Sequence, residues 1–269
     1  MTGDGDGVGE DARYPTSIGT ADATSISLLG HDLAGDLLGS VGFAELAFWL
    51  VALRRPSRGE LRVFETVLVA LADHGFTPTV IAARLTLAGA PESLQGALAA
   101  GILGGGSRFL GVTEDTARFL AAALAQRPDA PDDDAGFDAL AADAVRRCRA
   151  EGRLVPGLGH HLHKDRDPRT AAILRIAGEE GLRGPHLRLF EAVGRVHPEI
   201  LDRTLPLNGA GVCGAALADL GFAPEILRGF ALLARTAGLV GHLAEETRRP
   251  VARDIQADVE RRVEYLPPD

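Results

Sequence analysis

The sequence predicts an all-α fold of many short helices, and three observations carry that expectation. Alanine and leucine dominate nearly every segment, runs of β-branched residues are few, and no stretch sustains a two-residue alternation of apolar and polar side chains. Prolines also recur where helix starts are expected, at Pro91, Pro198, Pro224 and Pro250.

Taken in order, "FAELAFWLVALRR" (43–55), "RGELRVFETVLVALADHG" (58–75) and "PESLQGALAAGIL" (91–103) each place apolar residues at helical spacing. "TEDTARFLAAALAQ" (113–126) begins with Thr113 as an N-cap and carries acids in its first turn, where they favour the helix dipole. Further helices are expected over 137–150, 170–180, 186–196, 210–219, 224–243 and 250–264. The Pro- and Asp-rich "RPDAPDDDAG" (127–136) reads as a loop between a larger and a smaller helical domain. The expected organisation is a tail over 1–20, a large domain from 21–126 and 225–269, and a small domain over 127–224.

The formal charge of −9 argues against nucleic acid and anionic membranes as partners, while 46% apolar residues suffice for a buried core. Cys148 and Cys213 have neither zinc spacing nor a disulfide pattern, as expected in a reducing cytoplasm. The N-terminal "MTGDGDGVGEDARYPTS" lacks an apolar core and reads as a disordered acidic tail. The most apolar segment, 226–241, contains Arg228 and Arg235, which a membrane span would not hold cheaply. A soluble, cytoplasmic protein is expected.

Chemistry concentrates in "VPGLGHHLHKDRDPR" (155–169), which holds three of the eight histidines. His160 and His163 form an i,i+3 pair, but the glycines and proline before them are loop-like. No carboxylate or thiol at a recognisable spacing completes a metal set, so no metal is expected. An exposed turn is one reading. The other is a loop whose glycines bring backbone amides close to a ligand. There a histidine polarises a carbonyl and Arg169, beside Pro168 at a helix start, forks a carboxylate.

These residues carry a resemblance. "GLGHHLHKDRDPR" resembles the G-x-G-H-x-x-x-K-x-x-DPR loop of the citrate synthase family, and further matches follow in order. "LADHG" (71–75) resembles its histidine segment, "ALAAGILGGGSRFLG" (97–111) the helix and turn that follow, and "LARTAGLVGHLAEETRRP" (233–250) its C-terminal segment. "RRPSRGEL" (54–61) falls where the family has a "GELPS" turn. The short chain, "GSRFLG" and "EGRLVPGLGH" (151–160) are most similar to the citryl-CoA lyase branch.

The resemblance implies cleavage of citryl-CoA to acetyl-CoA and oxaloacetate, with the coenzyme A thioester as substrate and no tightly bound cofactor. It places His160 at the oxaloacetate carbonyl or citryl hydroxyl and His74 against the citryl group. Arg169, Arg235 and Arg249 become carboxylate-binding residues. Arg249 would act across the interface of a homodimer. Gly157, Leu158 and Gly159 would approach coenzyme A, with Arg108 near its phosphate. His161, His163 and His242 are assigned structural or exposed positions.

Two positions depart from the family. Phe109 replaces a histidine that synthases carry, which fits a lyase. Asn208, in "LPLNGAG" (205–211), stands where the family's catalytic aspartate is expected, and an amide exchanges no proton near neutral pH. Three readings follow: a citryl-CoA lyase, a condensing or acyl-CoA-hydrolysing enzyme on another substrate, or a non-catalytic binder of coenzyme A or a di-acid.

Overall fold

The computed structural model describes residues 13–127, 129–160 and 162–268. The first twelve residues of the expected tail and His161 lie outside them. The described residues divide into two compact units, one ending at Ser57 and the other beginning at Arg58.

In the first unit, β1 (Gly19–Ala21), β2 (Ile26–Leu28) and β3 (His31–Asp32) form an antiparallel meander. Composition had assigned Gly19 and Thr20 to the tail; here they pair with Leu28 and Ser27. One π-helical turn (Leu33–Leu37), capped by Asp32, leads to α1 (Phe43–Ala52). The α1 helix ends on Leu53 in the left-handed region, and the Arg55 guanidinium lies 4.4 Å from the Trp49 ring centre.

The second unit is helical: α2 (Arg58–Ala72), α3 (Pro78–Gly89), α4 (Leu94–Leu103), α5 (Val112–Leu124), α6 (Asp134–Ala150), α7 (Pro168–Glu179), α8 (Pro185–Leu201), α9 (Gly209–Asp219), α10 (Pro224–Arg248) and α11 (Ala252–Glu260). The all-α expectation holds, with the small N-terminal sheet added to it. Periodicity missed α3 because its buried face carries Thr79 and Arg84 beside Val80, Ala83 and Leu87. A polar pair on the inner face erases the apolar stripe. Two boundary expectations change. Thr113 is buried in the first turn of α5, whose cap is Gly111, and Pro198 lies inside α8 rather than at a helix start.

Two helices organise the unit. Residues Gly211–Leu217 of α9 are all buried, as expected of a helix that is apolar on every side. A Cβ on Gly214 would sit 2.1 Å from the Thr113 carbonyl oxygen, so α9 and α5 meet backbone to backbone. The α10 helix is long and apolar enough to cross a membrane by length and composition. It packs as a core helix against α2, α3, α4 and α5. Its Leu239 and Leu243 close an apolar cluster with Val80, Ala83, Leu87 and Ala97. At Gly238 a Cβ would lie 2.0 Å from the Ala72 carbonyl oxygen. Only glycine lets α10 press this closely on the end of α2.

Candidate active site

The α2 helix stops at Ala72, three residues before the end of the 58–75 segment expected as a helix, and releases Asp73, His74 and Gly75 into a turn. Gly75 takes a φ of +71°, and its amide donates to the Asp73 carboxylate at 2.9 Å. His74 therefore sits on a tight turn facing a cavity of about 340 Å³. His74, His160, Arg108, Arg169, Arg235, Asn208 and Gly159 all line this cavity, bringing together seven of the ten residues singled out from the sequence.

The glycine loop is fastened to the start of α9. Gly157 and Gly159 have φ of +82° and +81°, backbone that favours glycine. Leu158 bridges Leu207, the Gly159 amide donates to the Pro206 carbonyl at 2.8 Å, and the Asn208 amide donates to the Gly157 carbonyl at 2.9 Å. Gly157 packs under the Phe190 ring, so Gly157 and Leu158 form the loop's support rather than the cavity wall.

His160 is oriented by its own loop. Its Nδ1 accepts the amide hydrogens of Leu162 and His163, each at 3.1 Å. An accepting Nδ1 leaves the neutral ring's proton on Nε2, which makes His160 a donor for a carbonyl or hydroxyl oxygen. His163 stacks on it at 4.5 Å between ring centres, and His74 lies 5.1 Å from His160 and 5.6 Å from His163. The three histidines each place a nitrogen within 4.8 Å of the others. A histidine that binds metal donates its second N–H to an oxygen; His160 accepts instead, so this donor set does not match a tri-histidine centre.

Two arginines, the half-buried Arg169 and the buried Arg235, both use C-terminal carbonyls of α2. Arg169 donates to the Ala70 carbonyl at 3.3 Å, and to Asp167 from Nε at 3.0 Å and from Nη2 at 2.7 Å. Asp167 caps α7 and also accepts the Gly209 amide at 2.8 Å. Burial alone would push its carboxyl up, but the Arg169 guanidinium and the Gly209 amide outweigh it and hold the group at about 2. A Cβ on Gly209 would fall 2.3 Å from Arg169 Nε, so glycine is required beside the pair.

Arg235 is different. It is 5% exposed, and its contacts are long, 3.4 Å to the Leu71 carbonyl and 3.4 Å to Thr77 Oγ1. Burial pulls its pKa down, and among the described residues no carboxylate forms an ion pair with it. A buried guanidinium with only carbonyl and hydroxyl partners is a costly arrangement that an incoming carboxylate would relieve.

Asn208 caps α9, with Oδ1 accepting the Gly211 amide at 2.8 Å and Nδ2 donating to the Gly159 carbonyl at 2.9 Å. Both ends of its amide are engaged, which makes it the clasp between α9 and the glycine loop. Ala210, two residues on and the second residue of α9, also lines the cavity and was not singled out from sequence. Among the described lining residues there is no Asp or Glu. Arg249 lies outside the cavity, exposed at the end of α10. Two further contributors escaped the sequence reading. Asp167 was signalled by its place before Pro168 as a helix cap, whereas Thr77 carried no signal.

A family described as Citrate synthase, C-terminal domain, matches residues 21–255, and the chain belongs to the citrate synthase family. In fold and length it is a citryl-CoA-lyase-like member. The citryl-CoA lyase of Hydrogenobacter thermophilus superposes with a TM-score of 0.83 at 30% identity, covering 95% of this chain and 96% of that one. An ATP citrate lyase of Methanosaeta concilii, solved with (3S)-citryl-CoA, shares the fold at a TM-score of 0.71 and 22% identity, over 96% of this chain and 43% of that one. ATP-citrate synthase beta chain protein 1 of Oryza sativa subsp. japonica is 28% identical over 215 residues, 72% of this chain and 33% of that protein. The chain thus spans about a third of the length of the curated relatives it matches.

Proposed function

We propose that the protein cleaves citryl-CoA, or a close 3-hydroxy-acyl-CoA, into acetyl-CoA and oxaloacetate. The observation that carries this reading is Arg235, a buried cation with no ion-pair partner among the described residues, in one cavity with a histidine fixed as a donor. That combination suits a substrate with a carboxylate next to a hydroxyl or ketone oxygen.

On this reading Arg169 and Arg235 hold the carboxylates. His160 donates from Nε2 to the oxygen that becomes the ketone, and His74 takes the hydroxyl proton. The C–C electron pair passes to the acetyl-CoA carbon, giving an enolate that takes a proton from water, and the protonated His74 returns its proton to the hydroxide so formed. Gly159 and Arg108 face the coenzyme A moiety, with Gly157 and Leu158 holding the loop behind them. Residues 127–224 act as the small domain, and the protein is a cytoplasmic homodimer in which Arg249 completes the neighbouring site.

One observation favours a second reading, a non-catalytic or differently acting relative that binds coenzyme A and a di-acid: among the described residues no carboxylate lines the cavity to move a proton. Titration calorimetry with oxaloacetate tests the shared part of both. Binding by the wild type, weakened about 10–100-fold in Arg235→Met, is expected from the loss of one charged hydrogen-bonding group. A wild type that ignores oxaloacetate defeats both readings.

A further inference from the structure

His242 was placed among the structural or exposed histidines, yet it stands at the middle of a charged relay that ends on the turn carrying His74. The relay begins at Arg84 on α3, which is 0% exposed. Its guanidinium donates from Nη1 to Glu246 at 2.7 Å and from Nη2 to Glu245, and it lies 4.9 Å from the centre of the Phe76 ring. Nη2 also meets His242 Nδ1 at 2.8 Å.

A guanidinium only donates, so His242 Nδ1 accepts and the ring's proton is on Nε2. That proton points to Asp73, whose Oδ1 lies 2.9 Å from Nε2. The other Asp73 oxygen receives the Gly75 amide at 2.9 Å. Asp73 and Gly75 flank His74, so one carboxylate grips both sides of the residue. The Phe76 ring closes the assembly, 5.8 Å from the His242 ring.

The spacing on α10 gives the arrangement its purpose. Arg235, Gly238 and His242 are three and then four residues apart, and all three meet the 71–77 segment: Arg235 at the Leu71 carbonyl and Thr77, Gly238 at the Ala72 carbonyl, His242 at Asp73. One helix face therefore supplies the carboxylate-binding cation, the close approach and the clamp. The buried end of the relay is rigid, because Glu246 also accepts the amides of Val251 and Ala252, each at 2.9 Å.

We propose that His242, held in a single tautomer by Arg84, is the positioning residue for His74, setting its orientation through Asp73. This rests on the reading of His74 as an acid–base partner in the cavity. His242 touches no substrate; it acts by denying the 73–75 turn its alternatives, and a displacement of about 1 Å at a reacting group costs on the order of 10² in rate.

The test compares the wild type with His242→Phe, which keeps ring volume, and His242→Gln, whose amide N–H replaces Nε2–H. Asp73→Ala and the His242→Phe/Asp73→Ala double variant complete the set. Four quantities are read: the nitrogen chemical shifts of His242, hydrogen exchange at the Gly75 amide, kcat and KM for citryl-CoA. The expected results are a His242 ring protonated on Nε2 and a Gly75 amide that exchanges at least tenfold faster in His242→Phe. The kcat should fall about 10²-fold with KM changed far less. His242→Gln should recover most of both losses, and the double variant should be no worse than Asp73→Ala alone.

An Nδ1-protonated ring, unchanged Gly75 exchange, or additive losses in the double variant would overturn the proposal. If His242→Phe does not fold, Asp73→Ala and His242→Gln decide on the same measurements. If the wild type turns over no citryl-CoA, the functional reading fails, while the nitrogen shifts and Gly75 exchange still decide whether the clamp exists.

Discussion

Replacing Asp167 with Asn probes the electrostatic keystone of the cavity. In the native protein this side chain is 2% exposed, caps α7, binds Arg169 through two nitrogens and accepts the Gly209 amide. Its carboxyl is held at about 2 against an ordinary 3.8. That displacement corresponds to about 2.4 kcal/mol of stability at neutral pH. Breaking a buried pair by removing one partner costs about 3–5 kcal/mol, and Asn keeps the cap and one acceptor, so a loss of about 3 kcal/mol is expected.

The sign of the pH dependence follows from a folded-state value below the unfolded one. Asp167 contributes fully above pH 3.8 and loses its contribution as pH falls toward 2. Urea unfolding of both proteins from pH 7 to pH 3 reads the difference directly. It should be flat between pH 7 and pH 5 and narrow by about 1 kcal/mol by pH 3. A difference below about 1 kcal/mol at pH 7, or one that does not narrow in acid, would refute the assignment of Asp167 as the paired, ionised anchor of Arg169.

Other substitutions separate stability from binding. Arg235→Met should leave the melting temperature unchanged or raise it, because an apolar side chain removes a buried cation that has no ion-pair partner among the described residues; a marked fall would mean that Arg235 serves the fold. Asn208→Asp keeps the bond to the Gly211 amide but sets a carboxylate oxygen against the Gly159 carbonyl, so a loss of about 1–3 kcal/mol is expected in urea unfolding. Since ionisation is what the site resists, that loss should shrink as pH falls through the carboxylate range; a pH-independent effect would contradict it. Gly238→Ala, with its Cβ 2.0 Å from the Ala72 carbonyl, should cost about 1–3 kcal/mol and weaken oxaloacetate binding as well. Stability and binding both at wild-type levels would show that α10 does not brace the site.

Much of this was legible from residue types and spacing. Pro168 after Asp167 marks a helix start, and α7 begins there with Asp167 as its cap. The glycines at 157 and 159 announce a backbone that only glycine takes easily, and both have positive φ. What stayed hidden involves contacts between distant segments. Arg84 and His242 are 158 residues apart, and nothing local in "AARLTLAG" says that its arginine is fully buried. The role of Asn208 depends on the Gly159 carbonyl, 49 residues away, so the sequence identified the missing carboxylate but not the clasp in its place. The three strands at 19–32 are two or three residues long and largely exposed, too short to impose an alternation that a pattern can detect.

The most direct measurement is citryl-CoA cleavage by the purified protein, with oxaloacetate detected through malate dehydrogenase and the loss of NADH, and with Ala210→Asp assayed beside it. The account predicts wild-type turnover that Arg235→Met abolishes while remaining folded. No turnover by the wild type, in a protein that still binds oxaloacetate, would contradict the lyase assignment. Turnover gained only when position 210 carries a carboxylate would identify the chain as a binding relative whose cavity lacks the group that moves the proton.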